Sequence, residues 1–123
     1  MSKILFVDDD YYIRFIYTKV IAETTNLEVK TVGDWIEGRV HFLHQLFDLV
    51  ILDINLPEIT GIEALREIRQ LRATQKVLII SAYGTRANIV AMASLKANGF
   101  VVKPFTTDAL LDKINHVLMS SEK

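Results

Sequence analysis

The sequence predicts a doubly wound α/β domain, with five strands alternating with five helices. Two unbroken aliphatic runs carry that expectation, Leu49-Val50-Ile51-Leu52 and Val77-Leu78-Ile79-Ile80. Neither alternates apolar with polar residues, so both suit strands covered on two sides in the middle of a parallel sheet. Between the strand-like runs, apolar residues recur every three or four positions, the period of a helix that covers a sheet. Right-handed crossovers then join the parallel neighbours.

Lys3 to Val7 reads as the first strand and runs into Asp8-Asp9-Asp10. Three adjacent acids repel one another unless a cation or a lysine neutralises them. Asp10 is placed to cap the next helix, and the plain reading of all three is solvated acids near a helix N-terminus. From Tyr11 to Glu23, Ile13, Ile16, Tyr17, Val20 and Ile21 are expected to face the sheet, leaving Tyr11, Tyr12 and Phe15 as an aromatic cluster for another surface. Leu27 to Val32 alternates, as an edge strand would. Asp34 is a plausible N-cap for a helix from Trp35 to Leu46, with Ile36, Val40, Leu43 and Phe47 as its inner stripe. Gly38 weakens that helix by about 1 kcal/mol relative to alanine. His41 and His44 are three apart, but no third metal ligand accompanies them, so they read as surface histidines.

The Leu49 run reaches Asp53 and is stopped by Pro57. Ile62, Leu65, Ile68 and Leu71 form the stripe of a third helix. Lys76 to Ser81 is the fourth strand, and Thr85 to about Ala97 a helix that packs through Ile89, Met92, Ala93 and Leu95. Asn98-Gly99 suggests a left-handed cap at its end. Phe100 to Val102 is the fifth strand, followed by Lys103-Pro104-Phe105. Asp108 begins or caps the last helix, which covers the sheet with Leu110, Leu111, Ile114 and Leu118; the tail from Ser120 is expected to fray. For five strands the natural order is the flavodoxin-like 2-1-3-4-5, with its switch point between the first and third strands.

At 123 residues the chain is expected to be one domain, residues 1–123, with enough length for a single core. A net charge of -1 argues against nucleic acid or an anionic membrane as partner. The lack of cysteine excludes disulfides, thiolate metal sites and thiol nucleophiles. No apolar run approaches the roughly 18 residues of a membrane span, and the N-terminus does not resemble a signal peptide, so a soluble, cytoplasmic protein is expected.

At the carboxyl edge of such a sheet the first strand delivers Asp8 and Asp9, the third Asp53, the fourth Ser81 and the fifth Lys103. Three carboxylates make a hard, oxygen-rich pocket suited to Mg²⁺. A magnesium ion, an ammonium and a hydroxyl together can hold the oxygens of a phosphoryl group, and an aspartate facing them can act as nucleophile.

The chain resembles a receiver domain of the two-component response regulators over its whole length. The likeness rests on Phe6-Val7-Asp8-Asp9-Asp10, Leu52-Asp53-Ile54-Asn55-Leu56-Pro57 with Gly61, Ile80-Ser81-Ala82-Tyr83-Gly84, and Lys103-Pro104-Phe105. It implies that Asp53 accepts phosphate from a histidine kinase or a histidine phosphotransfer protein. Asp9, Asp53 and the backbone carbonyl of Asn55 would ligate Mg²⁺, with Asp8 acting through water. Ser81 and Lys103 would contact the phosphoryl oxygens, and the bond before Pro104 would be cis. Ser81 and Phe100 would form the switch that alters the surface of the fourth helix, fifth strand and fifth helix, through which many receivers dimerise when phosphorylated. Asn55 and Tyr83 would tune hydrolysis, the Tyr83 ring hindering the attacking water. The first helix, with Ile13 and Phe15, would receive the phosphodonor protein.

Two positions depart from the family pattern. Phe100 lacks the hydroxyl that many members carry on a tyrosine. Thr60 stands where an acid is frequent, a change expected to be harmless. A haloacid-dehalogenase-type phosphatase also uses a strand-end aspartate with Mg²⁺ and a lysine, but it wants a second acid where Asn55 stands. A receiver that only binds partners is the other alternative. The kinase and output target, and whether the chain is a complete regulator or a piece of one, are open on the sequence.

Overall fold

The structure is a computed structural model and describes residues 2–82 and 85–120. Its elements run β1 (Lys3–Val7), α1 (Tyr11–Thr24), β2 (Glu28–Val32), α2 (Trp35–His44), β3 (Leu49–Asp53), α3 (Gly61–Leu71), β4 (Val77–Ser81), α4 (Arg86–Ser94), β5 (Gly99–Val102) and α5 (Thr107–Met119). The strands form one parallel sheet in the order β2-β1-β3-β4-β5. Every residue of β3 and β4 is buried, the outcome their unbroken aliphatic runs demand. β2 lies at the edge, as its alternation requires.

Alternate residues of each strand serve opposite cores. Leu5, Val7, Val50, Leu52, Val77 and Ile79 pack under α2, α3 and α4. Ile4, Phe6, Leu49, Ile51, Leu78 and Ile80 pack under α1 and α5. Asp10 caps α1 by accepting from the backbone of Tyr12 and Ile13, and Asp34 caps α2 through Glu37. Thr60 forms a reciprocal capping box with Glu63 at the start of α3, which gives that threonine a structural use of its own.

Helix α2 is turned away from the expected face. Trp35, Gly38 and Phe42 are buried, with Phe47 just beyond the helix, while Ile36, Val40 and Leu43 are about half exposed. The two aromatics decide it, because each removes about 150–250 Å² from water, more than an aliphatic side chain can. Gly38 makes room for them: a β-carbon there would lie 2.9 Å from Trp35 Cε3. The glycine that weakens the helix on propensity is therefore the slot that seats the indole. The Trp35 Nε1–H then donates to Glu67 on α3 (3.1 Å), and Arg39 grips the same carboxylate, Nη2 to Oε2 being 2.9 Å.

Smaller differences follow the same logic. Ile16 and Leu71 are exposed, Leu71 as the last residue of its helix, while Ile21 on α1 and Ala64, Leu65 and Ile68 on α3 are buried. Helix α4 is short and buries Met92, leaving Ile89 exposed. The left-handed residue after it is Lys96 (φ 57°), and Gly99 instead opens β5. Arg69 on α3 holds this end by donating to the carbonyls of Leu95, Lys96 and Gln75 and to Asn98 Oδ1. The cap of α5 is Thr106 rather than Asp108, and Val117 joins Leu110 and Ile114 on its buried face. The tail is expected to fray from Ser120, but Ser120 is held, its N–H donating to the Val117 carbonyl and its carbonyl accepting from Lys76 Nζ (2.6 Å); residues 121–123 lie outside the described ones. No helix among the described residues is long and apolar enough to cross a membrane.

Candidate functional site

The sheet register brings the polar strand ends together. β1 and β3 pair Val7 with Leu52, so the next residues, Asp8 and Asp53, leave the sheet side by side. β4 and β5 pair Ser81 with Val102, which sets Lys103 next to the end of β4, and its N–H donates to the Ser81 carbonyl at 2.7 Å. Asp8, Asp53 and Ser81 are buried, and Asp9 is exposed at the rim. The Lys103–Pro104 peptide bond is cis.

Lys103 Nζ bridges the two buried acids, 3.1 Å from Asp8 Oδ2 and 3.0 Å from Asp53 Oδ2. Burial alone would lower the lysine's pKa, but the hydrogen bond to Asp53 and the charges of both acids outweigh it, so the net shift is upward. Burial pushes the Asp8 carboxyl up to about 6 and the Asp53 charge adds to this. The Asp10 backbone N–H and Lys103 return part of the shift. One ammonium thus leaves the pair of carboxylates under-neutralised. Asp9 adds a third carboxylate, and one oxygen of each acid lies within 4.8 Å of the others, close enough for a single ion. The donor set is all oxygen, which fits a hard divalent cation and not a soft one.

The supporting contacts were less legible in the sequence. Asp10 N–H donates to Asp8 Oδ1 (2.9 Å), and Arg14 Nη1 donates to the Asp8 carbonyl (2.6 Å). Asn55 N–H donates to Asp53 Oδ1 at 3.2 Å, while the rest of Asn55 is exposed. Gly61 N–H closes the loop by donating to the Ile54 carbonyl (2.8 Å), and Gly61 lies against the backbone of Asp53 and Ile54 more closely than a β-carbon would allow. An i to i+4 arginine after the acid cluster is the only sequence signal that could have marked Arg14. Phe100 is half buried, packs against the α2–α4 core and borders a cleft of about 250 Å³ shared with Ile89, Met92, Ala93 and Ala97. Tyr83 lies outside the described residues.

A family model, the response regulator receiver domain, matches residues 4–115. The chain belongs to this family. Receiver domains are signalling modules of two-component systems rather than enzymes with a turned-over substrate. Chemotaxis protein CheY of Bacillus subtilis is 31% identical over 116 residues, 94% of this chain and 97% of that protein. The response regulator ArlR of Staphylococcus aureus is 34% identical over 119 residues, and there the chain spans only 53% of the relative's length. Among solved structures, a CheY-like receiver from Methanospirillum hungatei superposes with a TM-score of 0.88 at 31% identity, covering 96% of this chain and 94% of that one. TrrA of Thermotoga maritima, solved in complex with Mg²⁺-BeF, gives 0.85 at 32% identity, covering 95% and 99%.

Proposed function

We infer that this receiver is switched by Mg²⁺-dependent transfer of a phosphoryl group from a phosphohistidine to Asp53. The observation that carries this is the pair of buried carboxylates, Asp8 and Asp53, bridged by Lys103 with Asp9 in reach. A carboxylate oxygen of Asp53 forms the new P–O bond while the P–N bond of the donor breaks and its electron pair returns to the imidazole. Lys103 passes from the Asp53 carboxylate to the oxygens of the incoming group, and Ser81 meets another of them. Asp8, Asp9, Asp53 and the Asn55 carbonyl would hold Mg²⁺, which when bound offsets the charge of carboxylates and phosphoryl oxygens. The Mg²⁺ in the TrrA complex supports a cation of that kind here.

Phosphorylation draws Ser81 toward the site and lets the Phe100 ring move, shifting the α4–β5–α5 surface as a population change between two packings. The cleft under α4 beside Phe100 supports room for that movement. The donor, a histidine kinase or a histidine phosphotransfer protein, docks on α1. There Tyr11, Tyr12 and Phe15 are 66%, 73% and 55% exposed, and Tyr11 stacks on Phe15 with centroids 6.3 Å apart. Ile13 is half buried against the sheet core, so it contributes less to that face than Phe15. The reaction and the protein belong in the cytoplasm.

Intact mass after incubation with Mg²⁺ and acetyl phosphate tests the reading. Wild type gains one phosphoryl group, Asp53→Asn gains none, and EDTA prevents the gain. An unmodified wild type, or a modified Asp53→Asn, overturns it. Phe15→Ala slows transfer from the cognate phosphohistidine protein and leaves acetyl phosphate labelling unchanged.

A further inference from the structure

The outward face of α2 is the apolar feature that neither the core nor the phosphorylation site uses. Ile36, Val40 and Leu43 follow one another at helical spacing and are 43%, 53% and 51% exposed, and Leu46, just past the helix, is 77% exposed. At 100° per residue this stripe is centred about 130° round the helix from the buried Trp35, Gly38 and Phe42. A row of aliphatic side chains on the outside of a helix is an unpartnered surface rather than scattered exposure.

The polar side chains beside the stripe say what can cover it. Glu37, His41 and His44 lie along one flank. Arg39, on the other flank, is already committed to Glu67 of α3. Glu37 stands about 5 Å along the helix axis to one side of the midpoint between Val40 and His41, and His44 about 5 Å to the other. Two copies of α2 packed antiparallel about a two-fold axis at that midpoint therefore set each Glu37 against the other copy's His44, twice. The same axis brings Val40 onto Val40 and Ile36 toward the far end of the partner's stripe. Parallel packing would instead turn this flank toward the partner's Arg39, which Glu67 already holds, and would lose both Glu37–His44 pairs. The His44 ring is fixed on its own helix, its Nδ1–H donating to the Val40 carbonyl at 2.6 Å.

We propose that this face of α2 binds a second copy of the same chain, through an isologous antiparallel contact centred on Val40. The stripe offers a few hundred Å² per copy, less than the roughly 800 Å² of a standard interface. The dimer is accordingly weak, with a dissociation constant on the order of 0.1–1 mM, and it matters where copies are held together. It is separate from the α4–β5–α5 surface and does not depend on phosphorylation of Asp53.

Sedimentation velocity across roughly 0.02–1 mM protein tests the association. Wild type shows a concentration-dependent rise in sedimentation coefficient that Val40→Gln removes. Because Val40 is exposed, the variant keeps its far-UV circular dichroism. The chain contains no cysteine, so single-cysteine variants read the geometry directly. With a short bis-maleimide, Val40→Cys crosslinks to itself, and Glu37→Cys crosslinks to His44→Cys in a mixture but not to itself. Monomer at every concentration overturns the proposal. So does a dimer that survives Val40→Gln, or self-crosslinking of Glu37→Cys in preference to the mixed pair.

Discussion

At Gly61 the start of α3 lies directly against the backbone of Asp53 and Ile54, and Gly61→Ala tests whether the site depends on that approach. A β-carbon at Gly61 would lie 2.7 Å from Ile54 Cα and 2.9 Å from the Asp53 carbonyl carbon, and tighter still on the Asp53 carbonyl oxygen. The backbone there is not in the left-handed region, so the methyl is opposed by space and not by torsion. All three atoms are backbone, and no rotamer change relieves them. Carbon atoms in comfortable contact sit about 3.5 Å apart, so the start of α3 must retreat by about 0.8 Å. Overpacking of this kind costs about 1–3 kcal/mol. Stretching the 2.8 Å hydrogen bond from Gly61 to Ile54 costs about 0.5–1.5 kcal/mol more. The gain in helix propensity returns at most about 1 kcal/mol. The net expectation is a loss of about 2 kcal/mol, or about 6–12 °C in Tm for a domain of this size. Urea unfolding followed by circular dichroism measures it, with a lower midpoint and an unchanged slope expected. Labelling of Asp53 by acetyl phosphate should slow in the same variant. Stability within about 0.5 kcal/mol of wild type would refute the claim that this contact is sterically fixed.

Three further outcomes are expected. Lys103→Met strips two buried carboxylates of their shared cation and lowers stability at neutral pH by about 3–5 kcal/mol; combining it with Asp8→Asn should return part of that loss, and a strictly additive double variant would contradict the bridge. Arg69→Met frees the C-terminal end of α4, so the amides of Leu95, Lys96 and Ala97 should exchange about tenfold faster or more, with strands β1 and β3 little changed; unaltered protection there would remove Arg69 as the anchor. Glu67 is held below the usual carboxylate range first by its hydrogen bonds from Arg39, with the Trp35 indole assisting against burial. A depressed folded pKa gives stability that is present above the unfolded value, near 4.5, and is lost as pH falls through the folded one. Denaturant midpoints should therefore decline in acid more steeply for wild type than for Arg39→Met, and parallel profiles would count against the pairing.

The alternation of strands and helices, the burial of β3 and β4, the edge position of β2 and the strand ends on which Asp8, Asp9, Asp53, Ser81 and Lys103 fall can all be read from the order of residues along the chain. These follow from local periodicity and from chain order, which a one-dimensional pattern records directly. The direction in which α2 faces is set by packing. Its two apolar stripes compete on periodicity alone, and the choice went to Trp35 and Phe42 because Gly38 leaves a slot against the sheet that no local rule foresees. Likewise Arg69 gathers acceptors from two separate segments, Gln75 and residues 95–98, and Gly61 is defined by the backbone it touches across a loop. Contacts of that kind depend on distances between residues far apart in the chain, and those distances exist only once the sheet has formed.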